Sequence, residues 1–275
     1  MDIYEKTTLF YERAKTEKVI IGKSLFGRNL YAVKIGNGSP VGIAQYAIHA
    51  REWITAELAF EHYARGLEKG SFWLIPLSNP DGALLSQRGL ASVKSKRAKK
   101  RLLEINGGKE DFSLWKANGR GIDLNVNFDA GWGKGVKNVL TPNSENCIGE
   151  TPFSEAETLA LKNFTNKIHP DYTVSYHTKG EEIYWYFYQS MRTCLRDKRL
   201  AIRISKETGY PLAYAKGSVG GYKDWCIEHL KIPAFTIEAG GDWLKHPIGE
   251  EGLNNIVVKN KDVLYALSEE YTLLR

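Results

Sequence analysis

Three apolar segments with the pattern of buried strands end in side chains that can bind a metal or carry a proton. His49 follows the apolar run 42–48, His177 follows 172–176, and Glu238 follows 234–237. An apolar strand has no need of histidine or glutamate at its end, and the carboxyl ends of neighbouring strands converge on one crevice in α/β sheets. We therefore expect these three side chains to meet in a single functional site.

A fourth candidate, Glu52, lies three residues after His49 in the tetrad His49-Ala-Arg-Glu52. If the chain turns from strand into helix here, both side chains reach one cation. Two imidazoles and one carboxylate leave an open coordination position on Zn²⁺, which is typical of a catalytic zinc. The tetrad alone equally fits a glutamate at a helix start beside a core histidine. With His177 included, the pattern predicts one zinc ion per chain, bound by His49, Glu52 and His177.

Glu238 lies between an apolar strand and the flexible pair Gly240-Gly241. A buried carboxylate needs either a charged partner or a raised pKa. One interpretation is a structural ion pair with a nearby lysine or arginine. The other is a general base, which takes a proton from zinc-bound water and returns it to a leaving amine.

The elements that must position these residues alternate between strand and helix patterns. Strands are predicted at 19–21, 30–35, 42–48, 72–77, 172–176 and 234–237, and helices at 4–14, 53–67, 154–168, 191–208 and 253–274. Ser154 is predicted to cap its helix, with Glu155 and Glu157 at the positive helix end. This alternation predicts a mainly parallel or mixed sheet covered on both faces.

Length and composition indicate a soluble globular protein. The chain has 275 residues, of which 43% are hydrophobic, and contains no run of eighteen apolar residues that could span a membrane. No linker divides it, so we expect one domain over residues 1–275. No signal peptide pattern opens the chain and its three cysteines form no CxxC pair, so we expect a cytoplasmic protein. No pattern indicates an oligomeric state.

The net charge of +6 comes from one block of the sequence. Six basic residues lie within Lys94–Arg101, and outside it 32 basic residues balance 32 acidic ones. Such a block is typical of a solvated loop or helix face, although a polyanion such as a cell-wall polymer is an alternative partner. We therefore expect no nucleic-acid partner.

Five ordered motifs resemble the zinc metallocarboxypeptidases of the funnelin type. They are His49-Ala-Arg-Glu-Trp53, Asn79-Pro-Asp-Gly82, Gly121-Ile-Asp-Leu-Asn125, Ser175-Tyr-His177 and Thr236-Ile-Glu238. The resemblance implies an α/β/α fold around a mixed, mostly eight-stranded sheet. It also implies zinc ligation by the three residues named above and a general-base role for Glu238.

The same resemblance assigns further roles. Asp123 matches the carboxylate that orients the first histidine ligand, since a ligating imidazole needs an acceptor on its other nitrogen. Lys116 matches the cation, usually arginine, that polarises the scissile carbonyl, and Arg120 is a second candidate four residues on. Either cation would stabilise the oxyanion.

Other positions depart from the family pattern. Where relatives carry an Asn-Arg pair that binds the terminal carboxylate, this sequence reads Asn125-Val126, and valine cannot bind an anion. Lys223 occupies the position that sets side-chain preference, and favours a substrate that carries an anion. Lys216 falls where the tyrosine of the closing loop is expected, and Tyr222 lies nearby as a further substrate-binding candidate.

These departures resemble the bacterial branch that cleaves γ-D-glutamyl-diaminopimelate bonds in peptidoglycan stem peptides. The similar segments include Trp115-Lys-Ala-Asn118 and Gly221-Tyr-Lys-Asp-Trp-Cys226. Diaminopimelate carries an amino acid centre at the end of its side chain, and Lys223 is a reasonable partner for that carboxylate. The alternatives are a general metallocarboxypeptidase acting on L-peptides and a zinc-free module that binds cell-wall peptide.

Overall fold

The computed structural model describes residues 1–274 and contains an eight-stranded mixed sheet. The strands are β1 (Lys18–Lys23), β2 (Asn29–Asn37), β3 (Val41–Tyr46), β4 (Gly70–Ile75), β5 (Tyr172–His177), β6 (Glu182–Tyr184), β7 (Leu212–Ala213) and β8 (Ala234–Glu238). Their order across the sheet is β1-β2-β4-β3-β5-β8-β6-β7. The central strands β4, β3, β5 and β8 are parallel, while β2 and β6 join them antiparallel. The parallel strands therefore end at one edge of the sheet.

Nine α-helices occur within the described residues. They are α1 (Ile3–Arg13), α2 (Thr55–Arg65), α3 (Pro80–Arg88), α4 (Lys96–Ile105), α5 (Ala156–Ile168), α6 (Met191–Thr208), α7 (Tyr222–Trp225), α8 (Leu253–Asn260) and α9 (Val263–Thr272). None of the helices in this part of the chain is both long and apolar enough to cross a bilayer.

Alternate residues of the central strands pack into two cores. On β3, Ala44 joins the core that α2, α6, α8 and α9 cover, whereas Ile43 joins the core beneath α5 and α7. On β4, Leu74 joins the first of these cores and Trp73 joins the second. This alternation follows from the two-residue period of a strand. The predicted sheet with helices on both faces is confirmed.

Several predicted boundaries were wrong for physical reasons. Ser154 does not cap α5: the N-cap is Glu155, without a side-chain cap, and the Ser154 hydroxyl donates to the Glu155 carboxylate at 3.0 Å. The long helix predicted at 253–274 is divided into α8 and α9 at Lys261 and Asp262. Much of the basic block forms the exposed face of α4, in agreement with a solvated helix.

Glu157, in the first turn of α5, is a buried acid with incomplete hydrogen bonding. Its Oε1 accepts from the Leu25 amide at 3.2 Å, and its Oε2 has no hydrogen-bond partner within residues 1–274. Burial raises the pKa of Glu157 to about 7, and the nearby Asp81 carboxylate adds to the shift. Ionised Glu157 is therefore costly in the folded state.

We expect Glu157→Gln to flatten the pH dependence of stability. Because the folded pKa lies above the unfolded one, the contribution of Glu157 is fully present below about pH 4.5 and is lost as the pH rises through about 7. The free energy of unfolding of the variant, relative to that of the parent, should therefore rise between pH 5 and pH 8, by at most about 3 kcal/mol. Urea unfolding at both pH values measures this gain. The exposed Glu110→Gln is the control, and an equal pH dependence in the parent and Glu157→Gln would contradict the expectation.

Candidate active site

A sharp turn after β3 brings two of the predicted ligands together. Ala47 adopts a positive φ of 49°, and His49 then begins a short 3₁₀ turn over Ala50–Glu52. Residues three apart on such a turn lie on the same side. The Nδ1 atom of His49 therefore lies 2.9 Å from Oε1 of Glu52.

The neighbouring strand supplies the third ligand. His177 is the last residue of β5, and its Nδ1 lies 3.0 Å from Nδ1 of His49 and 3.0 Å from Oε2 of Glu52. All three side chains are buried, and their ligand atoms lie within 4.8 Å of one another. The structure thus brings together the complete predicted ligand set.

This arrangement fits a zinc ion. Two imidazole nitrogens directed at each other across a carboxylate are satisfied together by one cation between them, and two nitrogens with one oxygen form the ligand set of a catalytic zinc. Burial of the Glu52 carboxyl opposes its ionisation, but His49 and His177 outweigh that effect and hold the pKa of Glu52 well below its usual value. Glu52 is therefore available as an anionic ligand.

Asp123 supports the first ligand from behind. Its Oδ1 lies 3.4 Å from Nε2 of His49, and its Oδ2 lies 2.9 Å from the Lys116 ammonium. The amides of Asn125 and Asn146 also donate to this carboxylate. Although burial opposes it, Lys116 and His49 hold the pKa of Asp123 well below its usual value. A fixed anion thus faces the outer nitrogen of His49, where the family resemblance implied one.

The two candidate cations occupy different places. Lys116 lies beside Asp123, close enough to the ligands for Glu52 to act on its pKa. Arg120 instead forms an ion pair with Glu155 at 2.7 Å and lines a separate cavity of about 510 Å³ below α4. The structure brings Lys116 to the ligand cluster and leaves Arg120 outside it.

Glu238 ends β8 directly beside His177, its partner in the parallel register. Burial raises the pKa of Glu238 to about 7, with His177 acting in the opposite direction and Glu52 adding to the rise. A carboxyl group with such a pKa can exchange a proton near neutral pH, which suits a general base that later acts as an acid.

A cavity of about 240 Å³ opens beside Glu238, and we call it the leaving-side cavity. It is lined by Asn125, Tyr184, Ala215, Lys216, Ser218, Gly221, Lys223, Asp224, Thr236 and Glu238. Three of the four predicted substrate-binding residues therefore line one space. The exception is Tyr222, whose buried hydroxyl is hydrogen-bonded to that of Thr165 at 2.7 Å, beneath α5.

Lys223 forms an ion pair that the sequence did not predict. Its ammonium forms a short ion pair with Asp224, the next residue, and donates to the Tyr186 carbonyl at 3.2 Å. Asp224 in turn accepts from the Gly221 amide at 3.1 Å. The only available sequence signal was the adjacency of the two residues. Lys216, by contrast, is exposed at the cavity and forms no ion pair with any residue from 1 to 274.

The sequence did not indicate His246 either, because it has no metal-ligand spacing. Burial lowers the pKa of His246, and the charges that act on it are Glu52, Arg51, Lys179 and His49. Its Nδ1 atom is buried and lacks a hydrogen-bond partner within the described chain. The loop after β8 therefore contributes a buried imidazole nitrogen without a partner in the described chain, and the ligand charges act on its pKa.

Known proteins resemble this chain in sequence and in fold. The chain is 30% identical over 249 residues to the gamma-D-glutamyl-L-diamino acid endopeptidase 1 of Lysinibacillus sphaericus, an alignment covering 84% of this chain and 62% of that relative. This chain thus spans about three fifths of that relative's length.

Two solved structures share the fold at low sequence identity. Bovine thrombin-activatable fibrinolysis inhibitor, in complex with tick carboxypeptidase inhibitor, superposes with a TM-score of 0.77 at 20% identity, covering 100% of this chain and 98% of that one. Murein-tripeptide amidase MpaA of Escherichia coli O157 gives 0.61 at 21% identity, covering 94% and 95%. The family model of the zinc carboxypeptidases, peptidase family M14, matches residues 11–247. By sequence, sheet and ligand cluster together, this chain belongs to the zinc carboxypeptidase family.

Proposed function

We propose that this protein is a zinc-dependent peptidase that hydrolyses the γ-D-glutamyl-diaminopimelate bond of peptidoglycan stem peptides. The observation that carries the proposal is the Lys223–Asp224 ion pair in the leaving-side cavity, together with valine at position 126. The similarity to an endopeptidase named for γ-D-glutamyl-L-diamino acid bonds supports the same substrate class.

The residues around the ligand cluster would have separate roles in hydrolysis. Bound zinc would supply a Lewis acid that polarises a carbonyl and acidifies water. The Glu238 carboxylate takes a proton from the attacking water as the water oxygen bonds to the carbonyl carbon. Glu238 then returns that proton to the amine as the carbon–nitrogen bond breaks. Lys116 would stabilise the negative charge that develops on the carbonyl oxygen.

The leaving-side cavity suits the far end of diaminopimelate. That end carries an ammonium and a carboxylate on one carbon, so it is neutral overall but strongly polar. The Lys223 ammonium and Asp224 carboxylate lie side by side, and both are only 5–6% exposed. In such a desolvated place the attraction between matching opposite charges is stronger than in water. A lysine side chain, which lacks the carboxylate, would offer the Lys223 ammonium no anion.

The residues at positions 125 and 126 also differ from the Asn-Arg pair of an ordinary carboxypeptidase pocket. Val126 is buried, does not line the cavity and offers no charge. Asn125 lines it, with its side-chain oxygen accepting from the Tyr222 amide at 3.3 Å, so its amide nitrogen can turn to the substrate. Lys216 is then the exposed cation available to the main-chain carboxylate of the departing residue.

Metal binding should depend on His177. Replacing it by alanine leaves one imidazole and one carboxylate, so zinc content measured by mass spectrometry should fall well below one ion per chain. His229→Ala, at an exposed histidine far from the cluster in sequence, should keep the metal. Unchanged zinc affinity in His177→Ala would contradict the ligand assignment, and a parent protein without stoichiometric zinc would favour the zinc-free binding module.

Glu238→Gln should bind zinc and substrate but turn over slowly. General acid–base assistance is worth about 10²–10⁴-fold, so kcat should fall by at least that lower amount. Glu104→Gln, at an exposed glutamate of α4, should stay within about threefold of the parent, because its carboxylate faces solvent. Near-parental turnover in Glu238→Gln would remove it from the mechanism.

The ion pair should set preference for diaminopimelate over lysine stem peptides. We expect Lys223→Met to remove most of it, a loss of roughly tenfold to a hundredfold in the kcat/KM ratio, the scale of a charge-assisted contact. Mass spectrometry of matched muropeptide digests gives the ratio.

Two further variants test whether the effect of Lys223→Met arises only because Asp224 is left buried without its ion-pair partner. Lys223→Met combined with Asp224→Asn leaves neither charge, whereas Asp224→Asn alone keeps the cation and an acceptor for the Gly221 amide. The double variant should lack the preference and the single variant should keep it. Equal rates on both peptides in the parent would exclude the pair as the specificity element, and faster cleavage of ordinary L-peptides would favour a general metallocarboxypeptidase.

A further inference from the structure

The cavity of about 510 Å³ below α4 is separate from the leaving-side cavity, and we call it the α4 cavity. No residue lines both cavities. Its wall is formed by one face of α4, by the turn at Leu25 and Phe26, and by the loop that includes Leu140 and Pro142. The proposed mechanism of hydrolysis does not use this space, so it is available to a second ligand.

Much of the wall of the α4 cavity is apolar. Leu102 of α4 and Ile122 are buried, whereas Leu25 is 43% exposed and Leu140 is 80% exposed, although all four line the same space. Large apolar side chains that stay exposed around a concave surface are typical of a binding site. A ligand with a hydrocarbon body would remove these side chains from water.

Two arginines add positive charge to this wall. Arg97 and Arg101 are four residues apart on α4, so they lie on the same side of the helix, and both line the cavity. Both side chains are exposed, and neither forms an ion pair with any residue from 1 to 274. A guanidinium group binds a carboxylate or a phosphate through paired hydrogen bonds. The α4 cavity therefore offers two cations to an anionic ligand.

The other charged groups at the cavity leave this positive charge in place. Arg120 also lines the wall, but Glu155 balances its charge at 2.7 Å. Glu150 adds an exposed acid to the lining, and it forms no ion pair within the part of the chain that is described. Along α4 itself, Glu104 is an acid among the basic residues of the block Lys94–Arg101. The excess of cations gives this surface a positive potential, which attracts anions.

We propose that the α4 cavity binds an organic anion with a hydrocarbon body, and that Arg97 and Arg101 hold its carboxylate or phosphate group. An apolar wall alone would accept a neutral molecule equally well, and exposed cations alone would attract any polyanion. The apolar wall and the two arginines together favour a compact molecule that carries both features. The α4 cavity is then a second binding site, separate from the zinc ligands and from the leaving-side cavity.

Small amphiphiles that remain monomeric in solution test this site directly. Octyl phosphate and octanoate carry both features, whereas octanol lacks the anion and inorganic phosphate lacks the hydrocarbon chain. We expect isothermal titration calorimetry to show binding of at least one amphiphile, and binding of octanol and inorganic phosphate that is weaker by about tenfold or more. The tighter amphiphile identifies whether the site prefers a phosphate or a carboxylate.

Two double variants with the same change in charge locate the contact. Arg97→Met combined with Arg101→Met should weaken amphiphile binding by about tenfold to a hundredfold. Lys96→Met combined with Lys100→Met removes two exposed cations of the same spacing that do not line the cavity, so the affinity should stay within about threefold. Leu140→Ser tests the apolar wall independently of charge, and should weaken binding by about threefold or more.

The outcomes separate a specific site from a general effect of charge. Zinc content and melting temperature should match the parent in every variant. Anions can also bind to zinc, but that binding is common to all variants, so the difference between the two double variants reports on α4 alone. Equal affinities in the two double variants would overturn the proposal, as would octanol or inorganic phosphate binding as tightly as the amphiphiles. Because the titration does not measure peptide cleavage, its failure leaves the proposed function untouched.

Discussion

The buried carboxylate of Glu52 between two imidazoles is the constraint on which the rest of the site depends. Three ligand atoms separated by about 3 Å cannot be stable side by side without a proton or a cation among them. A metal satisfies all three, and it also requires each ring to be held in one orientation. The second requirement explains why Asp123 is fully buried behind His49, and why Lys116 must in turn be close to Asp123.

The sheet order determines where the leaving-side cavity lies relative to this centre. The turn after β3 carries two ligands, the end of β5 the third, and the end of β8 the proposed base, so the reacting bond has a fixed direction across the strand ends. Beyond β8, the cavity with Lys223 and Asp224 faces the departing residue. The specificity of such an enzyme therefore depends on residues that contact neither the metal nor the reacting atoms.

Much of this arrangement could be predicted from residue patterns, because strand ends carry a strong signal. His177 and Glu238 end their strands as expected, whereas His49 lies three residues beyond β3, after a turn at Ala47 with positive φ. Contacts that depend on side-chain direction could not be predicted. Tyr222 is adjacent in sequence to Lys223, yet its ring points into the core, since successive residues of a helical turn point in different directions. The contact of Lys223 with the Tyr186 carbonyl likewise depends on packing between distant segments.

The leaving-side cavity would discriminate by the arrangement of charges rather than by net charge. Lys223 is neutralised by a contacting carboxylate and shielded from water, so a substrate gains there by placing opposite charges against both members of the pair. The far end of diaminopimelate carries such a zwitterion. An ordinary L-peptide with uncharged side chains does not, and this difference separates the proposed substrate from the general carboxypeptidase substrate.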